Sequence, residues 1–136
     1  MELFRGRLID HVHLRAKDLG ATRRFYKAVL ASLDIPMGQD AEDHLQCDEL
    51  WIDALGTDKP SATHVHLAFQ AVSRQMVDRF YKVGLEAGGR DNGAPGERKY
   101  HPGYYAAFLF DPDGNNIEAV HHGEAKRSAE AVTLQF

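Results

Sequence analysis

His11-Val12-His13-Leu14 returns as His64-Val65-His66-Leu67, and Phe25-Tyr26-Lys27 returns as Phe80-Tyr81-Lys82. Two matches in the same order, displaced by 53 and 55 residues, point to one supersecondary unit used twice. Within each HVHL segment, apolar and polar side chains alternate with the period of a half-buried strand. Val12 and Leu14 face one way and His11, His13 and Arg15 the other; Val65, Leu67 and Phe69 oppose His64, His66 and Ala68. Each copy therefore aims two imidazoles at one side of a sheet.

The same order of elements follows each strand. Asp18 is placed to cap a helix carrying Phe25, Val29, Leu30 and Leu33 on one stripe, with Pro36 and Gly38 ending it. Ser73 is placed to cap a second helix with Met76, Val77, Phe80, Tyr81 and Gly84 on one face, closed by Gly88-Gly89. After the first helix the clearest strand signal is Leu50 to Leu55, and Gly56 to Ser61 reads as the link between copies. In the second copy, Arg90 to Gly103 is rich in Gly and Pro and reads as a long loop. It leads to strands at about Tyr104 to Phe110 and Asn115 to His122, joined by the tight turn Asp111-Pro112-Asp113-Gly114. Gly123 to Glu130 reads as a short helix or a frayed tail.

The fold expected is α+β: two repeated βαβββ modules forming a curled mixed sheet with helices on its outer face. A chain of 136 residues with 43% hydrophobic content has one core to bury, so residues 1–136 read as one domain. Module 1 covers about 5–56, module 2 about 62–122, and the tail 123–136.

A net charge of −4 gives no basic footprint for nucleic acid. The single cysteine, Cys47, has no partner for a disulfide or a CxxC site. The first residues lack the apolar run of a signal peptide, and the longest apolar run elsewhere, Ala106 to Phe110, is far below membrane-spanning length. A cytoplasmic protein with no membrane partner is expected.

The stretches Asp10-His11-Val12-His13-Leu14, Lys17-Asp18-Leu19 and Phe25-Tyr26-Lys27-Ala28-Val29-Leu30, with Asp111-Pro112-Asp113-Gly114-Asn115-Asn116-Ile117-Glu118 near the end, resemble the vicinal oxygen chelate superfamily. That group includes glyoxalase I, bleomycin-resistance proteins, fosfomycin-modifying transferases and extradiol dioxygenases. The resemblance covers nearly the whole chain and implies a cup that holds a divalent metal, with His11, His64 and Glu118 as ligands. Imidazole and carboxylate donors suit Zn, Ni, Mn, Co or Fe(II) and leave coordination positions open for a substrate. Asp53 stands where glyoxalase I has a glutamate, one methylene longer; it is a fourth ligand, a water-bridged group or a plain strand residue. Arg15 stands where glyoxalase I enzymes hold an arginine that meets the glutathione carboxylate, which implies a role in substrate binding. The resemblance also implies a homodimer with sites shared between chains.

Most of the eight histidines are bystanders by prior expectation, but the repeat singles out His11 and His64. His13 and His66, on the same faces, are candidates to bind substrate, to act in acid–base catalysis alongside Glu118, or to replace the assigned ligands. His121 and His122 are neighbours on a strand and face opposite sides, so they do not form a ligand pair. Trp51, Arg98 and Tyr104 are candidates for substrate binding, with the Arg90 to Gly103 loop closing over an anionic substrate. The leading functional reading is a metal-assisted lyase or isomerase of the glyoxalase type acting on a small oxygenated molecule. The alternatives are an Fe(II) ring-cleaving dioxygenase, a thiol transferase to an epoxide antibiotic, and a non-catalytic bleomycin-type drug-binding protein.

Overall fold

The computed structural model describes residues 2–5, 9–56, 64–126 and 132–135. Module 1 runs β2 (Val12–Ala16), α1 (Leu19–Ser32), β3 (Gln39–Asp40), β4 (His44–Cys47) and β5 (Leu50–Ala54), after a short β1 (Glu2–Arg5). Module 2 runs β6 (His66–Gln70), α2 (Arg74–Glu86), β7 (Arg90–Glu97), β8 (Tyr105–Phe110) and β9 (Asn116–His121), followed by β10 (Val132–Gln135). Both modules are βαβββ. Each forms its own four-stranded mixed sheet, ordered β2-β5-β4-β3 and β6-β9-β8-β7, with no ladder joining them among the described residues.

The parallel pair at the edge of each sheet repeats in the other. β2 and β5 are parallel with Arg15 opposite Asp53, and β6 and β9 are parallel with Ala68 opposite Glu118. Pleating then sorts the side chains. Leu14, Ala16, Leu45 and Ile52 of the first sheet, and Leu109, Ile117 and Ala119 of the second, are buried toward the helices in one shared core. The helices pack on each other across Gly84, where a Cβ would lie 2.2 Å from Leu109 Cδ1 and 3.1 Å from Val29 Cγ1. Among the described residues no helix is long and apolar enough to cross a membrane.

Both helix starts follow the capping chemistry expected of Asp18 and Ser73, whose side chains accept from Ala21 N at 3.0 Å and Met76 N at 3.1 Å. The first helix stops before Pro36. Asp34 adopts φ 57, and Ile35 N donates back to Leu30 O at 3.0 Å. Arg79 of α2 donates through Nε and Nη2 to Ser32 O, satisfying a terminal carbonyl of α1 from the other module.

The Asp111 turn ties the modules together. Asp111 is 1% exposed, yet its carboxylate accepts from the backbone N–H of Asp113 and Asn115, from Asn115 Nδ2 and from Tyr26 Oη of α1, all at 2.7–3.0 Å. Lys17 N of module 1 donates to Asp113 Oδ1 at 3.1 Å, and Asn115 Oδ1 accepts from Val65 N at 2.9 Å. A buried carboxylate is tolerable because each oxygen is satisfied.

Two expectations need correction. Arg90 to Glu97 is a strand, not part of a loop: β7 pairs with β8 along an edge, and its register shifts between Asp91, Gly93 and Gly96. Bulges and an edge position are where a sheet accepts Gly93, Pro95 and Gly96, and they hide the strand's alternation. The tail also contains β10, which pairs antiparallel with β1. Residues 57–61 of the intermodule link, and residues 127–131 and 136 of the tail, lie outside the described residues.

Candidate functional site

Opposite the helices, each sheet presents a polar face centred on one imidazole and one carboxylate. In module 1 His13 Nε2 lies 2.9 Å from Asp53 Oδ1, and Arg15 Nε lies 3.3 Å from the same oxygen. Trp51, the cross-strand partner of His13, shares this face and stacks on His44 with ring centroids 4.1 Å apart. A cleft of about 360 Å³ opens here, lined by His11, His13, Gln46 and Trp51 among others.

In module 2 Glu118 is 2% exposed. Its Oε2 lies 2.8 Å from His66 Nε2, and its Oε1 accepts from Tyr104 Oη at 2.5 Å. Burial, and then the bond to Glu118, push the Tyr104 hydroxyl up to about 12, so it remains a donor at neutral pH. Behind Tyr104 stand His101 and His122, hydrogen-bonded at 2.8 Å and stacked. Phe108 is the cross-strand partner of Glu118, with the His66 ring 6.1 Å away.

The carboxylates thus contact His13 and His66. His11 and His64 sit just ahead of their strands and are exposed; His11 Nδ1 bonds to Asp10 at 2.8 Å. Among the described residues no three His, Cys, Asp or Glu side chains gather as one metal ion requires, so His11, Asp53, His64 and Glu118 do not converge within one chain. The imidazole and carboxylate of each half are donor types that suit a divalent ion, and they stand 2.9 Å apart in module 1 and 2.8 Å apart in module 2. Asp53 Oδ1 is also shielded from solvent without a hydrogen bond, since neither His13 nor Arg15, though within ion-pair range, is aligned to donate to it.

Arg98 follows directly on the end of β7. Its Nη2 donates to Ala94 O at 2.8 Å, and its guanidinium lies over Phe108. His121 and His122 diverge: His121 Nδ1 lies 3.1 Å from Ala71 O, and His122 turns to His101. Cys47 is buried, and burial pushes its thiol up to about 12, which removes it as a nucleophile. Sequence reasoning passed over His44 and Phe108. Phe108 was accessible from the alternation Tyr104, Ala106, Phe108, Phe110; His44 lay in a strand of four residues with no such signal.

Two βαβββ modules, each bearing an imidazole–carboxylate pair on its helix-free face, define a glyoxalase-like protein. The family model described as the Glyoxalase/Bleomycin resistance protein/Dioxygenase superfamily matches residues 8–119, and the chain belongs to that superfamily. It is similar to the crystal structure of a glyoxalase/bleomycin resistance protein from Albidiferax ferrireducens T118, with 32% identity over 84% of this chain and 98% of that one and a TM-score of 0.70. A glyoxalase/bleomycin resistance protein/dioxygenase family enzyme from Burkholderia phytofirmans PsJN shares the fold at 20% identity, covering 83% of this chain and 97% of that one, TM-score 0.63. A glyoxalase-related enzyme from Fulvimarina pelagi does so at 16% identity, covering 90% and 99%, TM-score 0.64. No curated protein matches the chain.

Proposed function

We propose that the protein is a metal-dependent lyase or isomerase of the glyoxalase I type, acting on a small oxygenated molecule at a site completed by a second copy of the chain. The observation that carries this reading is the repeated pair: His13 with Asp53 at 2.9 Å and His66 with Glu118 at 2.8 Å, at equivalent positions of the two sheets. Drug sequestration gives no reason for an imidazole to stand against a carboxylate in both modules. Membership of a superfamily that hosts several chemistries does not choose the reaction, so the argument rests on the site.

Asp53 and Glu118 would supply the carboxylate ligands. His13 and His66, already beside them, would supply the imidazoles; His11 and His64 are the candidates that the family resemblance favours. A bound divalent ion supplies Lewis acidity that polarises a substrate carbonyl without a redox change of its own. The remaining work falls to the chain. Glu118, held on one side by His66 and on the other by Tyr104, is placed to move a proton between substrate carbons, and neutral Tyr104 keeps its carboxylate oriented. Trp51 and Phe108 offer aromatic walls that exclude water from the reacting end.

Elemental analysis of protein purified without added metal, followed by a substrate panel with whichever ion it retains, tests this reading. Retained divalent metal is expected at one ion per pair of half-sites, with loss of metal in Glu118→Ala. If His13→Ala and His66→Ala lose metal while His11→Ala and His64→Ala keep it, the contacts seen here identify the imidazoles; the opposite pattern assigns them by the resemblance. Full occupancy and activity in all five variants would overturn the proposal.

A further inference from the structure

Arg15, Arg23, Arg74 and Arg79 each have a carboxylate oxygen within 4 Å. Arg98, although only half-exposed, has none among the described residues. Its contacts are two carbonyls, Ala94 O at 2.8 Å and Glu97 O at 3.4 Å, and the ring of Phe108, whose centroid lies 5.4 Å from Cζ. Two of its five N–H groups are used and the positive charge is unanswered.

The backbone is shaped around this guanidinium. A Cβ on Gly96 would lie 3.0 Å from Arg98 Nη1, and one on Gly93 would lie 3.3 Å from Nη2 and 3.1 Å from Phe108 Cδ2. The glycines of β7 thus leave room for an arginine whose Cζ lies 5.4 Å from the centre of the Phe108 ring. That ring belongs to the residue directly across from Glu118, and the His66 imidazole flanks it at 6.1 Å. Arg90 repeats the arrangement one pleat away, 5.3 Å from the Phe110 ring and again without a carboxylate partner among the described residues. The helix-free face of module 2 is thus positive on one side of the Phe108 ring and holds the imidazole–carboxylate pair near the other.

We infer that Arg98 receives a carboxylate of the ligand, with Phe108 as the floor between that anchor and the reacting end. This rests on the reading of His66 and Glu118 as the reacting end. The ligand class is then a small oxo- or hydroxy-carboxylic acid, with its reactive oxygens and its carboxylate separated by about the width of one aromatic ring. A planar guanidinium pairs bidentately with a carboxylate or with a phosphate, and the competition between benzoate and inorganic phosphate separates the two. Preseating the guanidinium on Phe108 lowers the ordering cost of binding.

The test is an NMR titration of the full chain with sodium benzoate, with benzamide as its neutral isostere and with inorganic phosphate. Benzoate is expected to shift the Arg98 Nε–H signal and the amides of Phe108 and Glu118. Its affinity should fall about tenfold in Arg98→Gln and in Gly96→Ala, which moves the guanidinium without removing its charge. Benzamide should bind wild type and Arg98→Gln alike. Equal benzoate affinity in wild type and both variants would overturn the inference, as would phosphate displacing benzoate from Arg98 at lower concentration. Metal content is read on the same samples. A benzoate response in protein that takes up no metal would sink the catalytic reading and leave the carboxylate anchor standing; metal uptake without a benzoate response would do the reverse.

Discussion

Oε2 of Glu118 lies 2.8 Å from Nε2 of His66, two residues before the alanine that Glu118 faces across the ladder. The first module reproduces this relationship between Asp53 and His13, with Arg15 in the place of that alanine. The half-sites therefore share a skeleton and differ in charge. Asp53 has a guanidinium at 3.3 Å, whereas Glu118 has the neutral hydroxyl of Tyr104.

Tyr104→Phe removes the donor to Glu118 Oε1 and leaves a buried carboxylate oxygen unsatisfied. The loss should be about 1.5–3 kcal/mol in urea unfolding at pH 7, as for hydrogen bonds to charged groups. The variant should also differ in alkali. A tyrosine whose folded value is raised from 10.0 to about 12 contributes stability that is complete below pH 10 and is lost as pH rises through 12. Wild type should lose stability over that interval more steeply than Tyr104→Phe. Parallel slopes would show that Tyr104 ionises as it does in the unfolded chain.

Asp111 and Tyr26 are expected to be energetically coupled. Asp111→Ala strands the donors of Asp113, Asn115 and Tyr26, and a loss of about 3–5 kcal/mol is expected from breaking a buried charged network. Tyr26→Phe removes one bond and leaves the rest, at about 1–3 kcal/mol. The double variant should be less destabilised than the two added together, since the same contact is removed twice. Additive losses in the urea cycle would mean that the 2.7 Å contact contributes nothing.

Cys47 should resist alkylation in the folded protein. Its side chain is buried against Pro36 O at 3.2 Å, and burial holds the thiol neutral up to about pH 12. Reaction with a disulfide reagent at pH 8 should proceed only as fast as the chain opens, and should become immediate in denaturant. Rapid stoichiometric labelling of native protein would contradict the burial.

The repeat made most of the fold legible because a duplicated strand and helix carry their hydrophobic periods in plain view. HVHL alternates, both helices have a side-chain cap at the expected residue, and the Asp111 turn carries its own signature. β7 was hidden because its bulges replace alternation with Gly93, Pro95 and Gly96. The site was partly legible for a similar reason. Period two assigns His11 and His13 to one face and His64 and His66 to another, but it does not say which member of each pair meets the carboxylate. That depends on the register of a parallel ladder between strands some 40 to 50 residues apart, which no local pattern encodes. Arg98 reads as a loop residue until the strand beneath it is known.

Divalent metal should stabilise the fold in a way that reports where the two half-sites meet. An ion bound only by folded protein adds RT ln(1 + [L]/Kd), about 2.7 kcal/mol at one hundred times Kd. If one ion bridges Asp53 and His13 of one copy to Glu118 and His66 of another, that increment belongs to a dimer. It should then grow with protein concentration and vanish on adding chelator. Asp53→Asn and Glu118→Gln should each lose most of it, and mixing the two variants should restore part of it, because a mixed dimer contains one intact site. Thermal melts with Zn, Ni, Mn, Co or Fe(II) at two protein concentrations provide the measurement. An increment independent of concentration, with no recovery on mixing, would place each ion within a single chain and remove the shared site from the proposal.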